Sequence, residues 1–77
     1  MKYKYVGWEY EGELHVYQSK RHLIELDEYN TRSHHAVCGT TIPDGASVNY
    51  GYDVCKRCVN FENKNSLIYH PETNTYQ

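Results

Sequence analysis

Three cysteines constrain the fold of this chain more than any other feature. Cys38 is followed by Gly39, while Cys55 and Cys58 form a Cys-x-x-Cys motif. An odd number of cysteines does not suit a disulfide framework, whereas thiolates three residues apart in a tight turn can point at one metal ion. A chain of 77 residues has a thin core, and metal binding would add directly to its folding free energy. The cysteines therefore predict one bound Zn²⁺.

The fourth ligand is predicted to be a histidine, because structural zinc sites are closed tetrahedra of sulfur and nitrogen donors. His35 precedes Cys38 by the same spacing that separates Cys55 from Cys58. Gly39, directly after Cys38, suits such a turn, because backbone N–H groups fold back toward the sulfur there and glycine tolerates a positive φ. Local spacing thus ranks His35 slightly ahead of the other candidate, His22, as the fourth ligand.

A second candidate comes from a resemblance. The order His22-Leu23, Cys38-Gly39 and Cys-x-x-Cys resembles small zinc-finger-like proteins common in bacteriophages and their hosts, over about half of the chain. In that pattern an upstream histidine on a strand precedes the Cys-Gly turn. The resemblance implies His22 as the ligand, so the choice between His22 and His35 stays open.

Alternative explanations of the cysteines lack support in the surrounding sequence. A single cysteine is commonly a small buried apolar residue, but all three here fall in turn-forming patterns. A redox pair at Cys55 and Cys58 would need a strand-helix-strand context that is missing. The deaminase pattern is also missing, because no glutamate lies two residues after His22, His34 or His35. With four ligands the metal site would be closed, and we expect no enzymatic activity.

Alternating apolar residues predict mostly strands. Expected strands cover residues 2–10 with a bulge at Gly7, 13–18 after a tight turn at Glu11-Gly12, 22–26, a short stretch ending at Cys38, and 48–54 after a turn at Pro43-Asp44-Gly45. Residues 59–70 suit either a short helix or a last strand.

These elements predict a small β-rich α+β fold, with antiparallel hairpins joined by zinc knuckles and one short C-terminal helix as an option. Residues 1–70 would form a single zinc-stabilised domain, and 71–77 a flexible tail. The sequence contains neither an apolar run of signal-peptide length nor a membrane span. The expected location is the cytoplasm, or the host cytoplasm for a phage-encoded chain.

Nucleic acid is the first predicted partner, as RNA or another single strand. Aromatic residues that alternate with lysines combine stacking faces with phosphate-neutralising charge. The candidate residues are Lys2, Tyr3, Lys4, Tyr5, Trp8, Lys20, Arg21, Lys56 and Arg57. Against this prediction, the formal net charge is -2, and most of the nine tyrosines are expected in the core of a leucine-poor protein.

A host protein is the alternative partner. Tyrosine and tryptophan are enriched at interface hot spots, and an exposed hairpin can add a strand to another sheet. In size and composition the chain is similar to early host-takeover proteins of lytic phages. That resemblance implies an adaptor or inhibitor that binds one host macromolecule.

Overall fold

The computed structural model describes residues 1–29, 32–43 and 53–77, and it is dominated by antiparallel strands with one short helix. The elements are β1 (Lys2–Val6), β2 (Glu9–Glu11), β3 (Val16–Gln18), β4 (His22–Leu26), β5 (Arg32–Ala36), α1 (Lys56–Lys64), β6 (Tyr69–His70) and β7 (Thr75–Tyr76). This confirms the small β-rich α+β class. Across those described ranges, no helix has the length and apolarity needed to cross a membrane.

The main sheet has five strands in the order β5-β4-β1-β7-β6, and every neighbouring pair is antiparallel. Strand β1 lies at its centre, with Val6 opposite His22 on β4 and Tyr3 opposite Tyr76 on β7. Residues 71–77, predicted as a flexible tail, therefore contain a strand that completes the sheet. Two-residue strands carry too little periodicity to be found in a sequence.

Tyrosines of β1 fill the core on the side of the sheet that faces α1. Tyr3 packs edge-to-face on Phe61 of the helix at 5.5 Å between ring centroids, and Tyr5 packs on Tyr76 at 5.2 Å. The Tyr5 hydroxyl also donates to Glu62 Oε1 at 2.8 Å. Burial and then this hydrogen bond raise the pKa of Tyr5. Tyr3 and Tyr5 meet the expectation that tyrosines form the core, whereas Tyr17, Tyr29 and Tyr69 are exposed and do not.

Strand β4 is buried on both faces at its centre, and α1 packs against it on one side of the sheet. Leu23 and Ile24 are both fully buried. Ile24 lies opposite Lys4 and Ala36, so it faces away from the tyrosines, and Ile42 is buried beyond β5. The predicted strand at 22–26 is confirmed, although a single alternating pattern does not reveal burial on two faces.

Strands β2 and β3 form a separate two-stranded ribbon, residues 9–18, that is not part of the main sheet. Its turn is closed by the Gly12 N–H donating to the His15 carbonyl at 2.8 Å. The side chain of Leu14 is 88% exposed and that of Val16 is 58% exposed. The predicted hairpin of 2–10 with 13–18 is therefore reduced to residues 9–11 and 16–18, because the first strand ends at Val6 and pairs with β4 instead.

The segment predicted as helix or strand contains parts of both. Helix α1 begins directly after Cys55 and ends at Lys64, Asn65 is its C-cap, and a positive φ of 53° at Ser66 then redirects the chain toward β6. The predicted turn at 43–45 and strand at 48–54 fall largely outside the described residues. Val54 forms an isolated parallel bridge with Arg21.

Candidate metal centre

Four side chains converge at one end of the main sheet. His22, Cys38, Cys55 and Cys58 each contribute one ligand atom, and these four atoms all lie within 4.8 Å of one another. We call this group the four-residue cluster. It joins β4, the turn after β5 and the start of α1, which are far apart in the sequence. The structure thus brings together all three predicted cysteines and one of the two predicted histidines.

Distances within the cluster suit a tetrahedral ion. His22 Nδ1 lies 3.5 Å from Cys38 Sγ and 4.0 Å from Cys58 Sγ. A tetrahedron with Zn–S bonds of about 2.3 Å and a Zn–N bond of about 2.0 Å would separate sulfur from nitrogen by about 3.5 Å. Little movement of the side chains is needed to reach that geometry, and the donor set fits a thiophilic ion of this size.

A turn after β5 positions Cys38. The Gly39 N–H donates to the Ala36 carbonyl at 2.9 Å, and the Ala36 N–H donates to the Thr40 carbonyl at 2.8 Å. Gly39 has a φ of 93°, which confirms the predicted positive φ at this position. The turn also places the Thr40 hydroxyl oxygen 3.2 Å from Cys38 Sγ.

The first turn of α1 positions the other two thiols. Cys55 is the N-cap residue, and Cys58 lies three residues later, so both fall on one face of the helix. The Cys55 N–H donates to the Arg21 carbonyl at 2.9 Å, which fixes the start of the helix beside β4.

His22 is held between the strand and an aromatic ring. It is the first residue of β4, and its imidazole stacks on Trp8 with 5.5 Å between centroids and 27° between planes. Burial and the nearby Lys20 ammonium lower the pKa of His22. The imidazole is therefore neutral at neutral pH, which is the form that binds metals.

The local environment shifts the pKa values of Cys58 and Cys38 in opposite directions. Burial, together with the neighbouring Cys38 and Cys55, raises the pKa of Cys58 to about 12, and a hydrogen bond from the Leu23 backbone acts against this rise. For Cys38, burial acts to raise the pKa, but hydrogen bonds from the Thr40 hydroxyl and backbone give a net lowering. All three cysteines are free of disulfides. A divalent cation would supply the charge that lets the three thiolates coexist.

His35 lies outside the four-residue cluster. It is exposed on β5, and it forms an isolated antiparallel bridge with Thr41. Strand β5 continues through Ala36, so the extended chain does not carry His35 around the turn with Cys38. The ranking of His35 ahead of His22 is therefore reversed by the geometry, which agrees with the histidine implied by the resemblance.

The residues predicted to bind nucleic acid divide into three groups. Tyr3 and Tyr5 are only 7% and 9% exposed, so neither ring can stack on a base. Lys2 and Lys4 lie on the opposite face of β1 from these tyrosines, toward the end of the sheet away from the cluster. The remaining residues surround the cluster.

Two basic dipeptides meet beside the cluster, where they form what we call the basic patch. It consists of Lys20, Arg21, Lys56 and Arg57. The hydrogen bond from the Cys55 N–H to the Arg21 carbonyl brings these two segments side by side. The first turn of α1 has no acidic residue, and none of the four cations pairs with a carboxylate of a described residue. The sequence contains both dipeptides but gives no sign of their proximity.

Two further residues contact the ligands of the candidate metal centre in ways that the sequence does not predict. Thr40 follows the Cys-Gly turn, where its hydroxyl contacts the Cys38 sulfur, and only the Cys-Gly motif itself hints at such a contact. Trp8 stacks on His22 across a separation of fourteen positions, which no local pattern records. Comparison with known proteins found no family model, curated protein or solved structure that matches this chain.

Proposed function

We propose that this chain is a non-enzymatic zinc-binding module, with one Zn²⁺ bound by His22, Cys38, Cys55 and Cys58. The observation that carries the proposal is the convergence of four soft or borderline ligand atoms within 4.8 Å. Three thiolates and one imidazole form a typical donor set of structural zinc sites. A reducing compartment such as the cytoplasm would keep the three thiols available for the ion.

The proposed role of the ion is structural. Four protein ligands complete a tetrahedron and leave no open position for water or substrate, which is why we propose no catalytic activity. The ion would tie β4, the turn after β5 and α1 together in a chain whose core is small. Zinc-binding free energy would then become folding free energy.

Native mass spectrometry with and without a chelator, combined with circular dichroism, tests this proposal. We expect one zinc ion per chain, and loss of folded structure when the ion is removed. His22→Ala should lose tight zinc binding, while the matched variant His35→Ala should keep it. A folded, metal-free chain, or equal zinc affinity in the two variants, would contradict the proposal.

For the partner, we propose single-stranded nucleic acid, and RNA first. The basic patch supports this choice, since a backbone hydrogen bond joins its two segments, and Lys20, Lys56 and Arg57 are exposed without an ion pair to a described carboxylate. Trp8 is half-buried beside the cluster and would supply an aromatic ring near that patch. Phosphate neutralisation together with stacking is how single strands are commonly bound.

Salt dependence measures this interaction directly. For single strands the logarithm of the affinity falls with the logarithm of salt concentration by about 0.7 per neutralised phosphate, so four contacts predict a slope of about -3. Lys56→Ala with Arg57→Ala should reduce the slope by about 1.4. Lys64→Ala, at the other end of α1, is the matched control. An unchanged slope in the double variant would exclude the basic patch as the contact surface.

A protein partner is the second candidate, and the ribbon (residues 9–18) is the observation that favours it. Leu14, Val16 and Tyr17 are exposed there, on a two-stranded sheet that stands apart from the core. In this role the chain would be an adaptor or inhibitor, as the resemblance to phage proteins implies. Leu14→Ser with Val16→Ser should then abolish capture of one protein without changing zinc binding.

A further inference from the structure

A groove lies on the face of the main sheet that points away from α1. It is lined by Lys2, Lys4, Leu26, Thr73 and Thr75, and it has a volume of about 200 Å³. Strand β1 supplies both lysines, and the turn before β7 together with β7 itself supplies both threonines. The groove is therefore built from the two ends of the described chain where they meet in the sheet.

The charge of the groove is entirely positive. No carboxylate lines it, and neither Lys2 nor Lys4 forms an ion pair with an acidic residue in the described part of the chain. The two lysines are half-buried, and their positions on β1 are about 7 Å apart because alternate residues share one face of a strand. Two like charges held this close are stabilised when an anion lies between them.

The threonine hydroxyl groups on the opposite side of the groove take part in a short series of hydrogen bonds. The Gln77 side-chain amide donates to Thr75 Oγ1 at 3.1 Å, and Thr75 Oγ1 lies 2.7 Å from Thr73 Oγ1. Because Thr75 accepts from the amide, its own hydrogen can go to Thr73. Thr73 then has its hydrogen available for a ligand in the groove. Thr75, the middle member of this series of hydrogen bonds, is only 4% exposed, while Thr73 and Gln77 are exposed.

We propose that this groove binds a phosphate group. The two ammonium groups would neutralise its charge, and the Thr73 hydroxyl would donate to one of its oxygens. A phosphate in a nucleic-acid strand and a phosphate on a free small molecule share this chemistry. The groove contains none of the four residues of the basic patch, and along β1 its lysines Lys4 and Lys2 are about 7 and 13 Å from Val6, the residue that pairs with His22. The groove would bind phosphate even if the basic patch did not.

Titration of the zinc-loaded protein with inorganic phosphate, followed by NMR, tests this proposal. We expect saturable shifts at the amides of Thr73 and Thr75 and at the two lysines. Lys2→Ala with Lys4→Ala should weaken binding by at least about tenfold. Lys64→Ala should leave it unchanged. Shifts that do not saturate, or equal weakening by Lys64→Ala, would overturn the proposal, since both indicate general attraction to a cationic surface.

Two variants of Thr73 test the proposed contact between its hydroxyl group and the phosphate. Thr73→Val keeps the shape of the side chain but removes the donor, and it should weaken phosphate binding by about threefold to tenfold. Thr73→Ser should retain most of the affinity. Thermal melting of each variant separates loss of the contact from loss of the fold. Equal affinities for phosphate in both variants would remove Thr73 from the site.

The source of the phosphate is decided by comparing two probes on the double lysine variant. If the groove binds a strand, Lys2→Ala with Lys4→Ala weakens both inorganic phosphate and a single-stranded RNA oligonucleotide. If it binds a small molecule, the variant loses inorganic phosphate and a mononucleotide but retains the oligonucleotide. Retention of all three probes would overturn the site itself.

Discussion

The main sheet and the ribbon (residues 9–18) share an alternating strand pattern, yet they differ in what covers their side chains. In the sheet, Leu23 is fully buried between neighbouring strands and α1. In the ribbon, Leu14 is 88% exposed, and backbone pairing to a single neighbour provides the order. Alternation identifies a strand in both regions, but stability depends on the layer packed against it.

The position of the four-residue cluster adds a second difference, between the base of the ribbon and its tip. It lies at the end of the sheet where β4 begins, and the ribbon connects to the same place through Trp8 and Ser19. The Ser19 N–H donates to the Trp8 carbonyl at 2.8 Å, and the Trp8 N–H donates to Ser19 Oγ at 2.9 Å. The base of the ribbon is thus fixed while its tip is free of the core, so changes at the tip should scarcely affect folding.

The largest predicted effect is at the metal centre. Cys58→Ser should remove a fully buried ligand and with it most of the free energy from zinc, about 10–16 kcal/mol in zinc-finger peptides. This exceeds the stability expected of a small domain, so we expect no cooperative thermal transition. Val16→Ser in the ribbon should melt as the parent does. A normal melt for Cys58→Ser would show that the sheet is stable without the ion.

A matched pair of leucines compares the two regions next. Leu23→Ala should lower the free energy of unfolding by about 2–5 kcal/mol, because it leaves a cavity in the core. Leu14→Ala should change it by less than about 0.5 kcal/mol, since the side chain already contacts water. Urea unfolding of the zinc-loaded variants gives both values. Similar losses in the two would mean that the ribbon folds back on the sheet.

Two glycines give a smaller contrast. Gly39→Ala should cost about 1–2 kcal/mol, because a φ of 93° strains any residue with a Cβ even though the space there is open. Gly12→Ala should cost less, because the new methyl group would meet mainly the ring of Tyr17, which is 43% exposed and can turn aside. Chemical denaturation measures the two losses, and a larger loss at Gly12 would contradict the comparison.

The smallest predicted effect concerns a hydroxyl group. Tyr5→Phe removes the donor to Glu62 and should lower the free energy of unfolding by about 1 kcal/mol. Tyr29→Phe, at a side chain that is 80% exposed, should be neutral. Urea denaturation of the two variants in parallel resolves the difference. No loss for Tyr5→Phe would mean that water replaces the bond at no cost.

Much of the candidate site could be predicted from the sequence, because its determinants are local. The Cys-Gly turn and the Cys-x-x-Cys spacing are properties of a few adjacent residues, and the structure brings these three cysteines together. The choice between His22 and His35 was not local. It depends on β5 remaining extended beyond His35 and on β4 starting beside α1, and spacing along the chain reports neither fact.

The sequence predicts individual strands of the fold but not which strands pair with one another. The strand at 22–26 follows from its alternation, yet β1 pairs with β4 and β7 rather than with the segment that follows it. Pairing between distant segments is decided by which faces are buried together, and local patterns carry no record of that choice. The short strand β7 was not predicted for the same reason, because its two residues form a strand only by pairing with neighbouring strands such as β1.

Trp8 gives the molecule an internal optical reporter. It is the only tryptophan in the chain, and its indole stacks on the imidazole of His22 within the four-residue cluster. Its fluorescence should therefore respond when that imidazole binds an ion, releases it or takes up a proton. Because Trp8 also directly precedes the ribbon, its fluorescence reports on the place where the main sheet and the ribbon meet, and no added label is needed.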